Sequence, residues 1–385
     1  PTDTIPIKSS EEKVLLLIVR DLIHIGWEAY FDKESVVLTP PEFYNKEMIK
    51  QAMSFRRDEI ILRNKNWIDS HIELARENLA NGHEAWTSEI IPSLEVCETK
   101  DQLNLFRVYR YYWSSPYSDY VGRRIKIIVR DAALPNRPVI GIIALGSPVL
   151  HMQDRDKWIG WDKNKRIENI VYTMDAYVLG ALPPYNYLLG GKLLSYLLAS
   201  RELVDIYKEK YKNQTTSVLG RKANDIACIF TTSLYGKSSQ YNRIRYNNIT
   251  LFKLIGFTKG YGTLHITDET FNAMLNLLKE NNITISNRFG DISNWRMKVI
   301  TTAARILGFD SNYFIRHSFK RAIYITPLAS NYAEFLNGRD TELKYYNFSL
   351  ENLVDYWRTR WCKKRRESVN IREQVLSFKK EDFYV

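Results

Sequence analysis

The spacing of apolar positions along the chain changes near residue 103. Before that point apolar residues recur at helical spacing, which predicts one helix over 9–26 and one or two long helices over 45–81. After it, short apolar runs bounded by Gly and Pro become common, as is typical of strands. The pattern therefore predicts a helical N-terminal region followed by a mixed α/β region.

Within the second region the same reasoning places strands over 124–130, 139–145, 168–181, 225–233 and 321–326. A further strand starts over 251–257 and is expected to run past Gly262. It places helices over 188–203, 268–280, 294–307, 328–336 and 349–361. The first two strands form a hairpin through the turn Leu134-Pro-Asn-Arg-Pro138, and strands that alternate with helices predict a mixed α/β sheet. We therefore divide the chain into a mostly helical region, an α/β core, a helical insertion, and a closing strand with helices and a basic tail: 1–100, 101–267, 268–316 and 317–385.

Charge is distributed unevenly between these parts. Residues 1–100 contain 12 Lys and Arg against 18 Asp and Glu, a net charge of −6, which leaves +17 for residues 101–385. A basic body of this kind most often binds nucleic acid or another polyanion. The acidic region suits a docking module, and a solvated basic surface is the simpler alternative for the remainder.

The sequence contains no pattern that indicates a metal site, a disulfide framework or a membrane-spanning helix. The three cysteines, Cys97, Cys228 and Cys362, lack close spacing, which is typical of a protein in the reducing cytoplasm. The six histidines form no metal-binding pattern, so we expect no metal. No apolar run reaches the roughly 18 residues of a membrane helix.

The densest group of polar and glycine residues follows two predicted strands. A Pro-Pro turn and Gly190-Gly191 lead into a helix, and a hydroxyl-rich run follows the strand over 225–233. Glycine lets a backbone approach a ligand closely, and a helix N-terminus attracts phosphate. The predicted ligand-binding residues are Tyr185, Asn186, Gly190, Gly191, Lys192, Thr231, Thr232, Ser233, Lys237, Ser238, Ser239, Asn242 and Arg243. A well-capped turn is the structural alternative, and no complete P-loop pattern is present.

Two further side chains are candidates for proton transfer. Asp175 alternates with apolar neighbours on a predicted strand, where a carboxylate acts as a general base, and Tyr241 is the candidate acid. The alternative role for Asp175 is a polar anchor for a loop or an arginine. We expect Asp175, Lys237, Tyr241, Arg243 and Trp161 to line one cleft, because ligands gather at strand ends in open α/β sheets.

Cations that alternate with aromatic residues suggest contacts with nucleic acid, since arginine binds phosphate and aromatic rings stack on bases. The alternative for Arg155 and its neighbours is a salt-bridged turn. The predicted nucleic-acid-binding residues are Arg123, Arg124, Arg155, Trp158, Trp161, Arg296, Arg316, Lys363, Lys364, Arg365 and Arg366.

The succession of hairpin, strand, Gly-rich turn, helix, strand and Gly256-Phe257 resembles the GNAT acetyltransferase-like fold. The resemblance implies a GNAT-like mixed sheet in which the turn from Pro183 to Lys192 holds a pyrophosphate, and hence an acetyl-CoA-like ligand. The chain departs from the usual motif at Tyr187 and Lys192, so the sequence does not determine which cofactor, if any, the turn binds.

A longer series of motifs resembles the A-component family of the Druantia anti-phage defence system. The series comprises Gly122-Arg-Arg, Arg155-Asp-Lys-Trp-Ile-Gly-Trp161, Asp175-Ala-Tyr-Val-Leu-Gly-Ala-Leu-Pro-Pro-Tyr-Asn186, Thr231-Thr-Ser, Gly236-Lys-Ser-Ser239, Asn294-Trp-Arg296 and Arg316-His317. That resemblance implies bacterial antiviral defence beside a helicase-like partner and other system proteins.

These observations lead to one prediction and two alternatives. We expect a cytoplasmic defence protein that engages nucleic acid or a nucleotide-like ligand through a GNAT-like cleft. The first alternative is an active transferase that modifies a base or a protein, and the second is a non-catalytic adaptor that docks other defence proteins.

Overall fold

The computed structural model describes residues 3–8, 10–41, 45–115, 122–215, 220, 222–260, 262–286, 292–310, 315 and 319–385. Its strands are β1 Asp3–Pro6, β2 Glu28–Phe31, β3 Ser35–Thr39, β4 Pro92–Val96, β5 Arg124–Asp131, β6 Val139–Gly146, β7 Thr173–Ala181, β8 Cys228–Ser233, β9 Arg245–Tyr246, β10 Ile249–Thr250, β11 Lys253–Phe257 and β12 Ala322–Pro327.

Apart from short 3-10 and π-helical turns, the remaining regular structure of the described ranges consists of α-helices. They are α1 Glu12–His24, α2 Lys46–Arg63, α3 Lys65–Asp69, α4 Ile72–Glu77, α5 Gly82–Thr87, α6 Lys100–Arg110, α7 Gln153–Ile159, α8 Lys163–Asn169, α9 Gly190–Leu197, α10 Arg201–Tyr211, α11 Asp268–Glu280, α12 Ile292–Ile306, α13 Tyr332–Leu336, α14 Leu350–Trp357, α15 Lys363–Arg366 and α16 Val369–Leu376. A π-helical turn, Arg358–Cys362, joins α14 to α15.

The main sheet has seven strands in the order β11-β12-β8-β7-β6-β5-β4. The pair β7–β8 is parallel, and the other neighbouring pairs in this sheet are antiparallel. The predicted hairpin of β5 and β6 and the mixed α/β class are both confirmed. Helices α9 and α10 lie between the two parallel strands in sequence, as a parallel connection requires.

A different set of helices packs against each face of the main sheet. One face packs against α9, α10 and α14, with Tyr207 and Trp357 among the buried side chains. The opposite face packs against α6 and α7, with Phe106 and Phe230 buried. Alternate residues of each strand point to opposite faces, so a strand position decides which set a side chain joins.

The N-terminal residues build a second hydrophobic core together with the helices of the insertion. Strands β1 to β3 form a three-stranded sheet, and α1 and α2 pack with α11 and α12 around side chains such as Ile18 and Met274. The small sheet was not predicted, because each of its strands has only four or five residues. Short strands are difficult to distinguish from loops by periodicity alone.

Several element boundaries differ from the sequence prediction, and at two of them a side-chain cap intervenes. The strand expected over 168–181 begins only at Thr173, since Asp162 accepts a hydrogen bond from Lys165 N at 2.8 Å and starts helix α8. The single helix expected over 188–203 is divided into α9 and α10. Ser200 Oγ accepts a hydrogen bond from Leu203 N at 3.2 Å and caps the second of them.

Trp357 is the largest fully buried side chain, and its replacement tests the core between α14 and the sheet. Its indole is 1% exposed and donates from Nε1 to Leu189 O at 3.1 Å. Trp357→Ala is expected to lower the free energy of unfolding by about 3–5 kcal/mol in urea denaturation. The control Val369→Ala, at a side chain that is 68% exposed, should change it by less than about 0.5 kcal/mol. A loss below about 1 kcal/mol at Trp357 would contradict this account of the core.

Candidate functional site

The parallel strands β7 and β8 separate before they end. They pair from Thr173 with Cys228 to Ala176 with Thr231, and β7 then continues to Ala181 beside β6. The chain next passes through a cis Pro183–Pro184 bond and a left-handed residue, Leu189, before α9 begins. The Gly-rich turn thus stands at the cleft between the two diverging strands.

This cleft is lined closely by the chain itself. A Cβ placed on Gly190 would lie 2.7 Å from Tyr185 O, and one on Gly191 would lie 3.2 Å from Gln240 Cδ. Gln240 donates from Nε2 to Leu179 O at 3.1 Å, beyond the last residue of β7 that pairs with β8. The two glycines therefore permit close packing between segments of this chain.

Lys192 holds the segment that enters the cleft, which we call the 238–243 loop. Its Nζ donates to Ser239 O at 2.6 Å and to Asn242 O at 2.8 Å, with a longer contact to Gln240 O at 3.5 Å. The same Nζ lies 4.3 Å from the centre of the Trp361 ring. Burial, followed by the charge of Arg243, lowers the pKa of Lys192 to about 8.

Tyr241 and Tyr185 are core residues in this arrangement. The ring of Tyr241 stacks on Phe252 at a centroid distance of 4.9 Å, and burial raises the pKa of its hydroxyl well above the ordinary range. The Tyr185 hydroxyl donates to Asp131 Oδ2 at 2.9 Å, and burial again raises its pKa. Neither hydroxyl is poised to give up a proton near neutral pH.

The remaining predicted ligand-binding residues differ in burial. Thr231 and Asn186 each have a buried oxygen without a hydrogen-bond partner in the described part of the chain, and Ser233 is 7% exposed. Thr232 and Ser238 are half-buried, and Ser238 N donates to Tyr324 OH at 3.2 Å. The side chains that reach the surface are those of Lys237, Ser239, Asn242 and Arg243.

Arg155 and its neighbours lie on the opposite face of the sheet. Arg155 is fully buried and donates to Asp156 Oδ1 at 2.6 Å and to Leu150 O at 3.0 Å. Trp161 donates from Nε1 to Leu336 O at 2.8 Å, while Trp158 remains 39% exposed. This is the salt-bridged turn that the sequence analysis gave as the alternative.

Asp175 shares that face, because it pairs with Phe230, whose ring packs in the same cluster as Trp161. Its Oδ2 accepts a hydrogen bond from Val149 N at 3.3 Å. Tyr241 packs on the other face, with Tyr324. The structure therefore does not bring the predicted base and acid together, nor the five side chains expected in one cleft.

Several of the predicted nucleic-acid contacts are engaged inside the molecule. Arg123 donates to the Tyr207 hydroxyl and to Thr173 O, and Arg296 donates to Ile266 O at 2.7 Å. Burial lowers the pKa of Arg296 to about 10. Arg365 donates to Tyr187 O at 3.0 Å and Arg366 to Ser88 O at 2.8 Å. Arg316 lies outside the described residues.

Other cations remain exposed, and one of them, Arg360, lies beside Trp361, a tryptophan that was not among the predicted contacts. The guanidinium of Arg360 lies 5.3 Å from the centre of the Trp361 ring, and Arg243 follows directly after Asn242, which Lys192 binds. We call Arg243, Arg360 and Trp361 the Trp361 surface. Within the described ranges, neither arginine nor Lys192 forms an ion pair with a carboxylate, and the same holds for Arg124, Lys237, Lys363 and Lys364.

The signal that could have indicated this surface is the run Arg358-Thr-Arg-Trp-Cys-Lys-Lys-Arg-Arg366, in which an aromatic ring stands between cations.

Across the described ranges, no helix combines the length and apolar character that a membrane crossing requires. Nor, in that part of the chain, do His, Cys, Asp and Glu side chains gather in groups of three that could hold a metal ion.

The fold and this site define a mixed α/β protein with a self-filled cleft and a cationic surface beside it. The model of a protein family, that of the Druantia protein DruA, matches residues 44–338. The curated Druantia protein DruA from Escherichia coli (strain UMEA 4076-1) is 38% identical over 296 residues, which are 76% of this chain and 72% of that protein. The chain therefore belongs to the DruA family. No solved structure matches it.

Because the pKa of Lys192 is lowered in the folded protein, the free energy of unfolding is expected to depend on pH. Between pH 8 and 10 the unfolded chain keeps a proton on this lysine, whose ordinary pKa is 10.5, while the folded protein releases it. Because the unfolded state then binds more protons, the free energy of unfolding rises with pH. We expect a gain of about 1–2 kcal/mol relative to Lys192→Met, measured by urea denaturation at both pH values.

The comparison with Lys192→Met cancels the titration of tyrosine and cysteine side chains that both proteins share. A difference in stability that stays constant over this pH range, or that decreases, would show that Lys192 remains charged in the folded protein.

Proposed function

We propose that this chain serves as a component of a Druantia anti-phage defence system and binds nucleic acid through the Trp361 surface. Membership of the DruA family supports the first part. The second part rests on one observation: Arg360 and buried Lys192 lie beside Trp361, and Arg243 follows the carbonyl that Lys192 binds. None of these three cations has a carboxylate partner in the described ranges. Positive charge that is not neutralised within the protein attracts a polyanion.

The chemistry of this surface suits a nucleic-acid strand more closely than a small anion. Arg243 and Arg360 are exposed and offer planar guanidinium groups, which bind phosphate with two parallel hydrogen bonds and also stack on bases. The half-buried indole of Trp361 adds a stacking surface for an unpaired base. Lys363 and Lys364 follow directly along the chain and extend the positive charge.

We also propose that the main sheet is GNAT-like. The support is the strand order, in which a hairpin leads to β7, a Gly-rich turn and helices follow, and β8 returns parallel to β7. Strand β12 then inserts between β8 and β11. This succession is the one that resembles the GNAT fold, and in this proposal the Gly-rich turn after β7 corresponds to the turn that holds a pyrophosphate there.

A second candidate role is that of an adaptor for other proteins of the system, including a helicase-like partner. The observation that favours it is the exposure of large apolar side chains on the N-terminal region. Tyr30 is 71% exposed, Ile23 49%, and Leu16 and Phe31 46% each. Exposed apolar groups of this kind mark surfaces for protein contacts when they are contiguous.

Binding of fluorescent single-stranded and duplex oligonucleotides, measured by anisotropy at increasing salt, tests the main proposal. We expect affinity to fall steeply with salt because phosphate contacts release counterions. Each of Arg243→Gln and Arg360→Gln should weaken binding and reduce the logarithmic salt slope by about 1. Trp361→Ala should cost about 1–3 kcal/mol with single strands.

Lys279→Gln serves as the matched control, because this exposed lysine lies on α11 in the other core. It should leave affinity and salt slope unchanged. If wild-type protein binds no oligonucleotide at low salt, the proposal is wrong. If binding is strong and all three variants bind like the control, nucleic acid uses another surface of the chain.

A further inference from the structure

We propose that the 238–243 loop is the permanent occupant of the cleft between β7 and β8, and that Lys192 positions it so that Arg243 is presented at the surface. The inference deepens the proposed function, since it rests on the GNAT-like core and on Arg243 as a phosphate contact. It assigns the cleft to the chain itself, where the fold resemblance would place an acetyl-CoA-like ligand.

The first support is that Gln240 in the loop contacts both β7 and helix α9, which follows β7 along the chain. The Gln240 amide donates to Leu179 O on β7 at 3.1 Å and approaches Ser195 Oγ on α9 at 3.5 Å. Leu179 lies past the residues of β7 that pair with β8, so its carbonyl is available to a side chain. A ligand at this position would compete for the same carbonyl.

The second support is the lack of free space beside Gly190 and Gly191. A Cβ on Gly191 would already be 3.2 Å from Gln240 Cδ, a distance that forces the neighbour to move. A Cβ on Gly190 would be 2.8 Å from the Ala181 side chain. The Cβ side of Gly191 is therefore occupied by Gln240, so a ligand can approach the turn from that side only if the loop moves.

The third support is the anchoring of the loop on either side of Gln240. Ser238 N donates to Tyr324 OH on β12, and Tyr241 is 7% exposed between Phe252 and Tyr324. Withdrawal of the loop would expose the Tyr241 ring to water. It would also leave the buried Lys192 ammonium without its carbonyl acceptors, which costs more than the loss of ordinary hydrogen bonds.

The loop geometry links Lys192 to the surface. Arg243 has a φ of +61°, a left-handed conformation that is uncommon for a residue with a side chain. The carbonyl just before it, Asn242 O, is the one that Lys192 holds at 2.8 Å. Lys192 thereby fixes the backbone conformation just before Arg243, and so the direction in which the Arg243 side chain points. In this proposal Lys192 does not contact nucleic acid itself and influences binding only through Arg243.

Hydrogen exchange and a ligand titration test the occupancy of the cleft. In the wild-type protein, amides of the 238–243 loop should exchange slowly, and Lys192→Met should accelerate them at least about tenfold while peptides of β5 and β6 keep their protection. Acetyl-CoA titrated calorimetrically into wild-type protein should give no binding up to millimolar concentration. Micromolar binding of acetyl-CoA, or an unprotected loop in the wild type, would overturn the inference.

A double-mutant cycle in nucleic-acid affinity tests the positioning role. We expect Lys192→Met to weaken binding about tenfold in the wild-type background and to have little effect when Arg243→Gln is already present. Equal effects in both backgrounds would show that Lys192 does not act through Arg243. Unchanged exchange in β5 and β6 ensures that a globally unfolded variant is not mistaken for a displaced loop.

The outcomes also separate this inference from the proposed function. If the wild-type protein binds no nucleic acid, the proposed function and the positioning role fail together. The exchange and acetyl-CoA measurements would still decide whether the loop occupies the cleft.

Discussion

The centre of the molecule depends on how the buried ammonium group of Lys192 is satisfied. An ammonium removed from water is costly unless acceptors replace its hydration, and here backbone carbonyls of the 238–243 loop do so at 2.6 and 2.8 Å. Because Lys192 stands in the first turn of α9 and its Nζ also faces Trp361, one cation connects three distant parts of the chain. The Gly-rich turn, the polar loop and the C-terminal helices are thereby arranged around it.

The net charge of a segment does not indicate which of its cations are free to bind a partner. Residues 101–385 carry +17, yet Arg155, Arg296 and Arg366 direct their guanidinium groups to carboxylates or carbonyls of the same chain. Guanidinium groups offer five donors in a fixed plane and are well suited to such internal roles. The relevant positive charge is therefore the exposed remainder. It includes Arg360 beside Trp361 and Arg243, which follows the carbonyl that Lys192 binds.

Helices α1 and α2 form one core with the helices of the insertion, although Arg56 and Asp268, which contact each other there, are 212 positions apart. Asp268, at the start of α11, forms ion pairs with Arg56 and Arg63 of α2 and with Arg296 of α12. These partners hold the pKa of Asp268 below its ordinary value against the opposing effect of burial. The predicted insertion is thus structurally part of the same core as β1–β3, α1 and α2. Arg296, a predicted nucleic-acid contact, stabilises that core.

The sequence by itself determined the elements whose signals are local. Helix α11 was predicted with the bounds it has, since Thr267 caps it and its apolar residues keep helical spacing, and the β5–β6 hairpin follows from its turn. The family was also indicated by motifs in the sequence, and the comparisons confirm it.

Only the tertiary structure decided which side chains meet. Asp175 and Tyr241 lie on opposite faces because strand register is set by pairing with distant strands, including an irregularity between Ala144 and Leu145. Lys192 and Gln240 fill the cleft because the chain brings its own loop there, a contact between residues 48 positions apart that no local pattern encodes.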